Sequence, residues 1–450
     1  MRKTKTEGFF WLTFFFTCLF GGRMYDFDLR GDSMNYAAIS NNILYSNDPL
    51  ILTLNGELYM NKPPLFFWVN ALFIKLFGAN PFSVRLSTLI AVIVIIWFLY
   101  KIAMELFEDS DTALMMPLLF FATYIVYKNT HMLKLEAFVS AFVAGSLYFF
   151  IRYLREKDVR SIVFTAVFAG LAVFSKGPLG LIVLLASIIF PLVSKEHRTI
   201  KYFKHILLAL GITLLIPGWW YGYVMAKTPF FDTFFLEQMF DRLGGNSLNF
   251  TEATYKVRPL WQYLLYIGKY GGLFLILFPL GLYKLITQER FTSGLRFMFT
   301  LSVLYFVIIH FITTKEHRYL YQFYMFTSFI SAYGLTSVLS KGFVPFVKWL
   351  GVIFALFIAL YPGTLDWDSY DSIKRAKEMS EKSGLPVVAR DDFIRDISDK
   401  AAMSFYLRDH LKEPPQSGGW LEVVEKRFKV ENGHELYRSK RVSVYIVNTE

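Results

Sequence analysis

Gly31-Asp32-Ser33-Met34-Asn35-Tyr36-Ala37-Ala38-Ile39-Ser40, followed by Leu54-Asn55-Gly56-Glu57-Leu58-Tyr59-Met60-Asn61-Lys62-Pro63-Pro64-Leu65, decides how the chain is read: it is a polar interlude behind a first apolar run that contains Phe9-Phe10-Trp11-Leu12-Thr13-Phe14-Phe15-Phe16. Tyr36, Ala37, Ile39, Ile43 and Leu44 recur at helical spacing, which predicts a helix lying on a membrane surface with Asp32 at its start. On the residues alone Asp32 suits a helix N-cap and a general base equally well. Pro63-Pro64 stiffens the chain and forces Asn61-Lys62 out of helix. Lys62 then stands on a rigid bend, where its ammonium can meet a phosphate oxygen or snorkel to lipid head groups.

The rest of the chain fits that setting. Its 450 residues are 54% hydrophobic, 19% aromatic and only 18% charged, with a mean hydropathy of +0.39, which excludes an ordinary soluble enzyme. The net charge of +11 lies in no block long enough to follow a nucleic-acid backbone, so no nucleic-acid partner is expected. Much of it falls in short loops between apolar runs, with an anionic lipid surface as the partner. The single cysteine, Cys18, leaves neither an intramolecular disulfide nor a cysteine metal site.

Candidate spans fall near 8–22, 84–101, 112–127, 137–151, 161–175, 179–194, 205–225, 262–283, 297–313, 318–338 and 346–362, about eleven in all. The first, with Arg2, Lys3 and Lys5 ahead of it, has a cleaved signal peptide as its alternative, but no small-x-small cleavage site follows. Arg152, Arg155, Lys157 and Arg160, then Lys195, Arg198, Lys201 and Lys204, then Lys284, Arg290 and Arg296, then Lys341 and Lys348 make alternate loops basic. The positive-inside rule then places the N-terminus in the cytoplasm and the C-terminus outside. Loops bearing Asp32, Lys62, Glu136, Lys176, Glu237, Arg242, Lys315 and Arg318 share the outer side. After Pro362 the composition turns polar, with a helical stretch at 370–382 and β-like stretches at 385–389, 420–424 and 442–447. That alternation predicts a small extramembrane α/β domain.

Four further places offer chemistry. Glu136, in His131-Met132-Leu133-Lys134-Leu135-Glu136, sits where a loop re-enters the bilayer, and an acid there is either functional or paired with Lys134. Ser175-Lys176-Gly177-Pro178 reads as a tight return whose lysine can meet phosphate or head groups. Arg242 closes an aromatic stretch that includes Glu237 and Gln238, and arginine grips phosphate with two parallel hydrogen bonds where lysine cannot. Lys315-Glu316-His317-Arg318-Tyr319-Leu320 is a second cationic clamp, or a set of charges that compensate one another.

Taken in order, D-x-x-x-Y-A-x-I-S from Asp32, N-G-x-x-Y-x-x-K-P-P-L from Asn55, S-K-G-P from Ser175 and K-x-x-R-Y-L from Lys315 resemble the GT-C glycosyltransferases of the protein mannosyltransferase and aminoarabinose transferase type, over roughly 8–340. The resemblance implies an inverting enzyme of the cell inner or plasma membrane that moves a sugar from a polyprenyl-phosphate donor to an extracytoplasmic lipid, glycan or protein. It implies a GT-C-type polytopic α-helical domain over 1–362, with external loops at 23–83 and 226–260, and the small domain at 363–450. Asp32 and Glu136 would be catalytic. Lys62, Arg242, Lys315 and Arg318 would hold the donor phosphate, with Tyr36, Asn61, Lys176, Glu237, Gln238 and Tyr319 in support. The chain departs from the family at three points. In the aminoarabinose branch a glutamate and a histidine that can hold a metal occupy the positions of Asn61 and Gln238, so no obligatory metal is expected here, though a divalent ion stays possible. Ser33 replaces the second acid of the mannosyltransferase pair, which weakens a protein acceptor. The alternative from another class is a transporter or flippase of lipid-linked sugars, which would set its charges along the midplane.

Overall fold

The computed structural model describes residues 29, 31–234, 258–287, 291–312, 315–339, 370–389, 394, 396–408, 411–415, 418–430, 433–439 and 441–448. Their contacts divide the chain into two compact units, one formed by 1–21, 60–65 and 88–360, the other by 22–59, 66–87 and 361–450. Packing thus joins most of residues 23–83 to the C-terminal segment in one unit.

The first unit is helical and membrane-spanning. Among the described residues five helices are long and apolar enough to cross a bilayer: Pro81–Phe107, which begins in the other unit, Leu135–Glu156, Val159–Lys176, Ile200–Lys227 and Ser293–Phe311. Two expected spans are broken. Ser110–Phe121 meets Tyr124–Thr130 at 73°, and Gln262–Tyr270 meets Phe274–Thr287 at 103°, which gives up to seven spans if each pair is counted once. The second break falls at Gly271-Gly272, with Gly272 at φ 54°, a backbone that favours glycine. The expected span at 179–194 is a 3-10 turn, the short helix Ile182–Ile189 and a second 3-10 turn, and the expected spans at 8–22 and 346–362 lie outside the described residues. The described residues thus show five to seven of the roughly eleven expected spans; apolar runs register hydropathy and not the kinks within them.

Helix packing in this unit follows small residues and buried aromatic side chains. Leu135–Glu156 packs on Val159–Lys176, which packs in turn on Ile200–Lys227. Leu320–Val338, nearly all buried, packs on Phe274–Thr287 and Ser110–Phe121. Gly281 and Gly334 bring two of these backbones together, since a Cβ on Gly281 would lie 1.9 Å from the Ile330 carbonyl oxygen. On Ile200–Lys227, by contrast, Leu207, Leu215 and Trp219 are exposed, as a lipid-facing surface requires.

The second unit holds the interlude read first. The expected helix forms as Asp32–Ile43 and packs on Ile397–Tyr406. Asn55 (φ 54°) and Gly56 (φ 85°) turn a hairpin between strands β1 (Thr53–Leu54) and β2 (Glu57–Leu58), the left-handed pair that a two-residue loop demands. Strands β3 (Val387–Val388), β4 (Gly419–Glu425), β5 (Gly433–Arg438) and β6 (Val442–Asn448) form one sheet in the order β3-β4-β6-β5, parallel between β3 and β4 and antiparallel elsewhere. Helix Asp371–Ser383, stopped by Gly384 in the left-handed region, packs on β5 and β6.

Candidate active site

In the first unit, two cations drawn from distant points of the chain converge on the buried carboxylate of Glu136. Glu136, only 4% exposed, stands in the first turn of Leu135–Glu156, where the helix dipole favours an anion. Lys176, at the last turn of Val159–Lys176, donates from Nζ to Glu136 Oε1 at 2.9 Å, and Arg318 brings Nε to 4.0 Å of the same oxygen. The lysine ammonium also lies 5.9 Å from the Tyr319 ring centroid, a cation–π distance.

Local structure fixes each of the three. The return after Lys176 runs through Gly177 at φ 84° and a 3-10 turn at Pro178–Leu181. A Cβ at Gly180 would fall 2.3 Å from the Val173 backbone nitrogen, so only glycine lets the chain fold back this closely. Arg318 and Tyr319 lie in the 3-10 turn His317–Tyr319 ahead of helix Leu320–Val338, and the Tyr305 hydroxyl anchors that turn by donating to the Tyr319 carbonyl at 2.7 Å. Nearby, Thr130 Oγ1 and the Tyr321 hydroxyl share a hydrogen bond of 3.0 Å. Burial, with Lys128 adding to it, holds His317 below the usual imidazole range.

This arrangement can neutralise an anion. A carboxylate holds two cations in place inside a low-dielectric site, and a phosphate oxygen could take over either contact. Lys134, the partner expected for Glu136, adds a smaller electrostatic contribution at that carboxylate, while the short contact goes to Lys176, forty positions away.

The remaining expected residues are distributed more widely. Lys315 is 3% exposed at φ 37°, and its Nζ donates to the Ile312 carbonyl at 3.2 Å, just past the end of Ser293–Phe311. It thus satisfies a helix end, and burial lowers its basicity. Lys62 folds back to donate to the Asn61 carbonyl at 2.7 Å. Asp32 and Tyr36 belong to the second unit. The N-cap of Asp32–Ile43 is Gly31, so Asp32 is the first helical residue and the N-cap alternative falls. Tyr36 is buried edge-on against Phe66 and Phe67, a packing role. Glu237, Gln238 and Arg242 lie outside the described residues. Among the described residues no group of three His, Cys, Asp or Glu side chains converges as metal ligands. Tyr305, Thr130 and Tyr321 escaped the sequence reading because a mid-helix Tyr or Thr in an aromatic-rich chain carries no local signal.

Residues 61–221, which include Lys62, Glu136 and Lys176, match the family model described as dolichyl-phosphate-mannose-protein mannosyltransferase. A protein of Aquifex aeolicus is 28% identical over 209 residues, 45% of this chain and 41% of its own. The undecaprenyl phosphate-α-4-amino-4-deoxy-L-arabinose arabinosyl transferase 1 of Proteus mirabilis is 26% identical over 279 residues, 59% of this chain and 48% of its own. The chain therefore spans about half the length of the curated relatives it matches. The crystal structure of ArnT from Cupriavidus metallidurans bound to undecaprenyl phosphate superposes with a TM-score of 0.70 at 14% identity, over 97% of both chains. Sequence motifs in order and a family match across two of the three clustered residues make the chain similar to the GT-C glycosyltransferases, and it shares the fold of ArnT over nearly its whole length.

Proposed function

We propose that the protein is an inverting glycosyltransferase that moves a sugar from a polyprenyl-phosphate donor to an acceptor on the outer side of the cell inner membrane. The observation that carries this reading is the buried Glu136 held between Lys176 and Arg318. In the reaction an acceptor oxygen attacks the anomeric carbon from the face opposite the leaving group. The bond from that carbon to the phosphate oxygen breaks, and polyprenyl phosphate leaves with the electron pair. Cations already fixed beside the leaving oxygen stabilise the charge that develops there. Arg318 and Lys176 supply them, Glu136 keeps them in place, and Lys62 and Arg242 add contacts to the phosphate. Asp32 takes the acceptor proton. The proposed topology has the N-terminus in the cytoplasm and the C-terminal segment outside, from the basic alternate loops.

The test is transfer of radiolabel by the purified protein in nanodiscs, offered a panel of polyprenyl-phosphate sugars with envelope lipids, glycans and peptides. Label should pass from lipid to an acceptor with wild type and fail to pass with Asp32→Asn, while Arg318→Gln should slow transfer by about a hundredfold or more. Full activity in Asp32→Asn would remove that residue from the mechanism. Label that stays on the lipid with every donor would defeat the transferase reading.

A further inference from the structure

Helix Ser293–Phe311 reaches across to helix Leu320–Val338 and the turn before it with two hydroxyls. Ser302 Oγ lies 3.0 Å from the Phe326 carbonyl oxygen, and the Tyr305 hydroxyl donates to the Tyr319 carbonyl at 2.7 Å. Three residues apart, the two donors share a helix face. Their axial separation is about 4.5 Å, whereas the two acceptors, seven residues apart, are separated by about 10.5 Å. A long side chain closes that difference, and tyrosine supplies it. Its ring stands edge-on to Phe326, with centroids 5.2 Å apart, and the hydroxyl at its far tip meets the turn.

The two bonds differ in what they hold. Ser302 Oγ also lies 2.7 Å from the Met298 carbonyl oxygen of its own helix, so its single proton is divided between a local acceptor and the neighbouring helix. Its distant acceptor, Phe326, stands well inside Leu320–Val338, where the helical hydrogen bonds already fix the backbone. Tyr305, 1% exposed, gives its proton to the 3-10 turn His317–Tyr319, whose N-cap, Glu316, makes no side-chain capping bond. That turn carries Arg318. Of the two cations at Glu136, Arg318 makes the longer contact, with Nε 4.0 Å from Oε1 against 2.9 Å for Lys176 Nζ. An outward shift of the turn therefore weakens the arginine contact, while Lys176 stays fixed at the end of Val159–Lys176.

We infer that Tyr305 is a positioning residue for transfer: its hydroxyl fixes the turn that aims Arg318, and Ser302, which straps the same two helices, has no such part. The role rests on the transferase reading, in which Arg318 faces the phosphate of the leaving group. Misplacing such a cation by about 1 Å costs up to about a hundredfold in rate.

The experiment compares wild type with Tyr305→Phe, Ser302→Ala, Arg318→Gln and the double variant Tyr305→Phe/Arg318→Gln. Radiolabel transfer in nanodiscs gives kcat and KM for the donor, thermal unfolding gives the melting temperature, and native mass spectrometry gives binding of undecaprenyl phosphate. Tyr305→Phe keeps the ring and removes only the hydroxyl. It should lower kcat by about tenfold with KM changed by less than about threefold. Undecaprenyl phosphate, which bears the full charge that the donor phosphate acquires only as the bond breaks, should bind about tenfold more weakly to this variant. Ser302→Ala should lower the melting temperature at least as much, with transfer and binding within about twofold of wild type. With Arg318→Gln already in place, Tyr305→Phe should change transfer by less than about twofold, because the side chain it aims is gone. An equal loss of transfer in Ser302→Ala, or a Tyr305→Phe loss that persists undiminished beside Arg318→Gln, would make Tyr305 a general support of the fold and overturn the assignment. Transfer that proceeds in wild type and is unchanged in Tyr305→Phe would overturn it while leaving the transferase reading intact. No transfer by wild type with any donor, alongside undecaprenyl phosphate binding that weakens in Tyr305→Phe and not in Ser302→Ala, would do the reverse. A wild-type protein that shows neither transfer nor binding would overturn both.

Discussion

Two clusters of opposite charge balance sit in the two units, and their difference shows how ion pairs divide between chemistry and stability. In the first unit one carboxylate, Glu136, faces Lys176 and Arg318, so among the described residues one acid meets two bases, all no more than 21% exposed. In the second unit one guanidinium faces two carboxylates. Arg441 Nη2 lies 2.9 Å from Asp396 Oδ2, and its Nε lies 3.0 Å from Asp399 Oδ1. The Tyr370 hydroxyl donates to Asp399 at 2.9 Å, and Asp396 caps helix Ile397–Tyr406 through the Ser398 and Asp399 amides. There every acceptor has an internal partner, and Arg441 is 44% exposed to water. The second cluster ties a helix to the strand β6; the first, among the described residues, sets one buried acid between two bases.

Removing the acid from the first cluster should have the largest effect. Glu136→Gln leaves two cations together in a buried place without their counter-ion, at a cost of about 3 kcal/mol in stability. It should also slow transfer by about a hundredfold, since cations that repel each other no longer hold their geometry. Thermal unfolding in detergent and the nanodisc transfer assay measure the two losses. A variant that keeps both wild-type values would make Glu136 a bystander. Gly180→Ala comes next, because its Cβ meets backbone at 2.3 Å and the return that places Lys176 must open. A destabilisation of about 2 kcal/mol is expected, with transfer reduced in parallel. Unchanged transfer would show that Lys176 reaches Glu136 without the tight turn.

Arg441→Gln sharpens the contrast from the other side. Water already screens the arginine, so the loss should be about 1 kcal/mol, visible as a small drop in melting temperature, with transfer at saturating donor unaffected. A loss as large as that of Glu136→Gln would erase the distinction between the clusters.

The sequence carried the members of the first cluster but not their assembly. Glu136, Lys176, Arg318 and Tyr319 each stood out as charge or motif beside apolar runs, yet the nearest visible partner of Glu136 was Lys134, two positions away, and nothing local shows that Lys176 is closer. Strand signals rich in Val and Ile proved readable in β3, β4 and β6, whereas Gly433–Arg438, half polar and partly exposed, passed unnoticed as β5. Helix Ile397–Tyr406 was missed because its buried face is made of Ala401, Ala402, Met403 and Phe405, too small a set to stand out in a polar tail. Asn55-Gly56 and Gly271-Gly272 were signals in plain view for a hairpin and a break. The packing of Asp32–Ile43 on a helix more than three hundred residues away has no local signature at all.

The smallest expected effect concerns Asp399, and it asks which force governs the closed cluster. Burial pushes its carboxyl above the usual carboxylate range, with Arg441 and Tyr370 opposing that rise. A carboxyl whose proton is held more tightly in the folded state contributes stability that is complete below the unfolded value and is lost as pH rises through the folded one. Helix Ile397–Tyr406 should therefore be slightly more protected at mildly acidic pH than at neutral pH, by a fraction of a kcal/mol, in hydrogen exchange corrected for intrinsic rates. Asp399→Asn should flatten that slope while keeping the acceptor for Tyr370, whereas Asp396→Asn should leave it in place. A wild-type slope of the opposite sign would mean that attraction to Arg441 outweighs burial. The second cluster would then be a true ion pair, and the contrast with Glu136 would rest on the ratio of acids to bases alone.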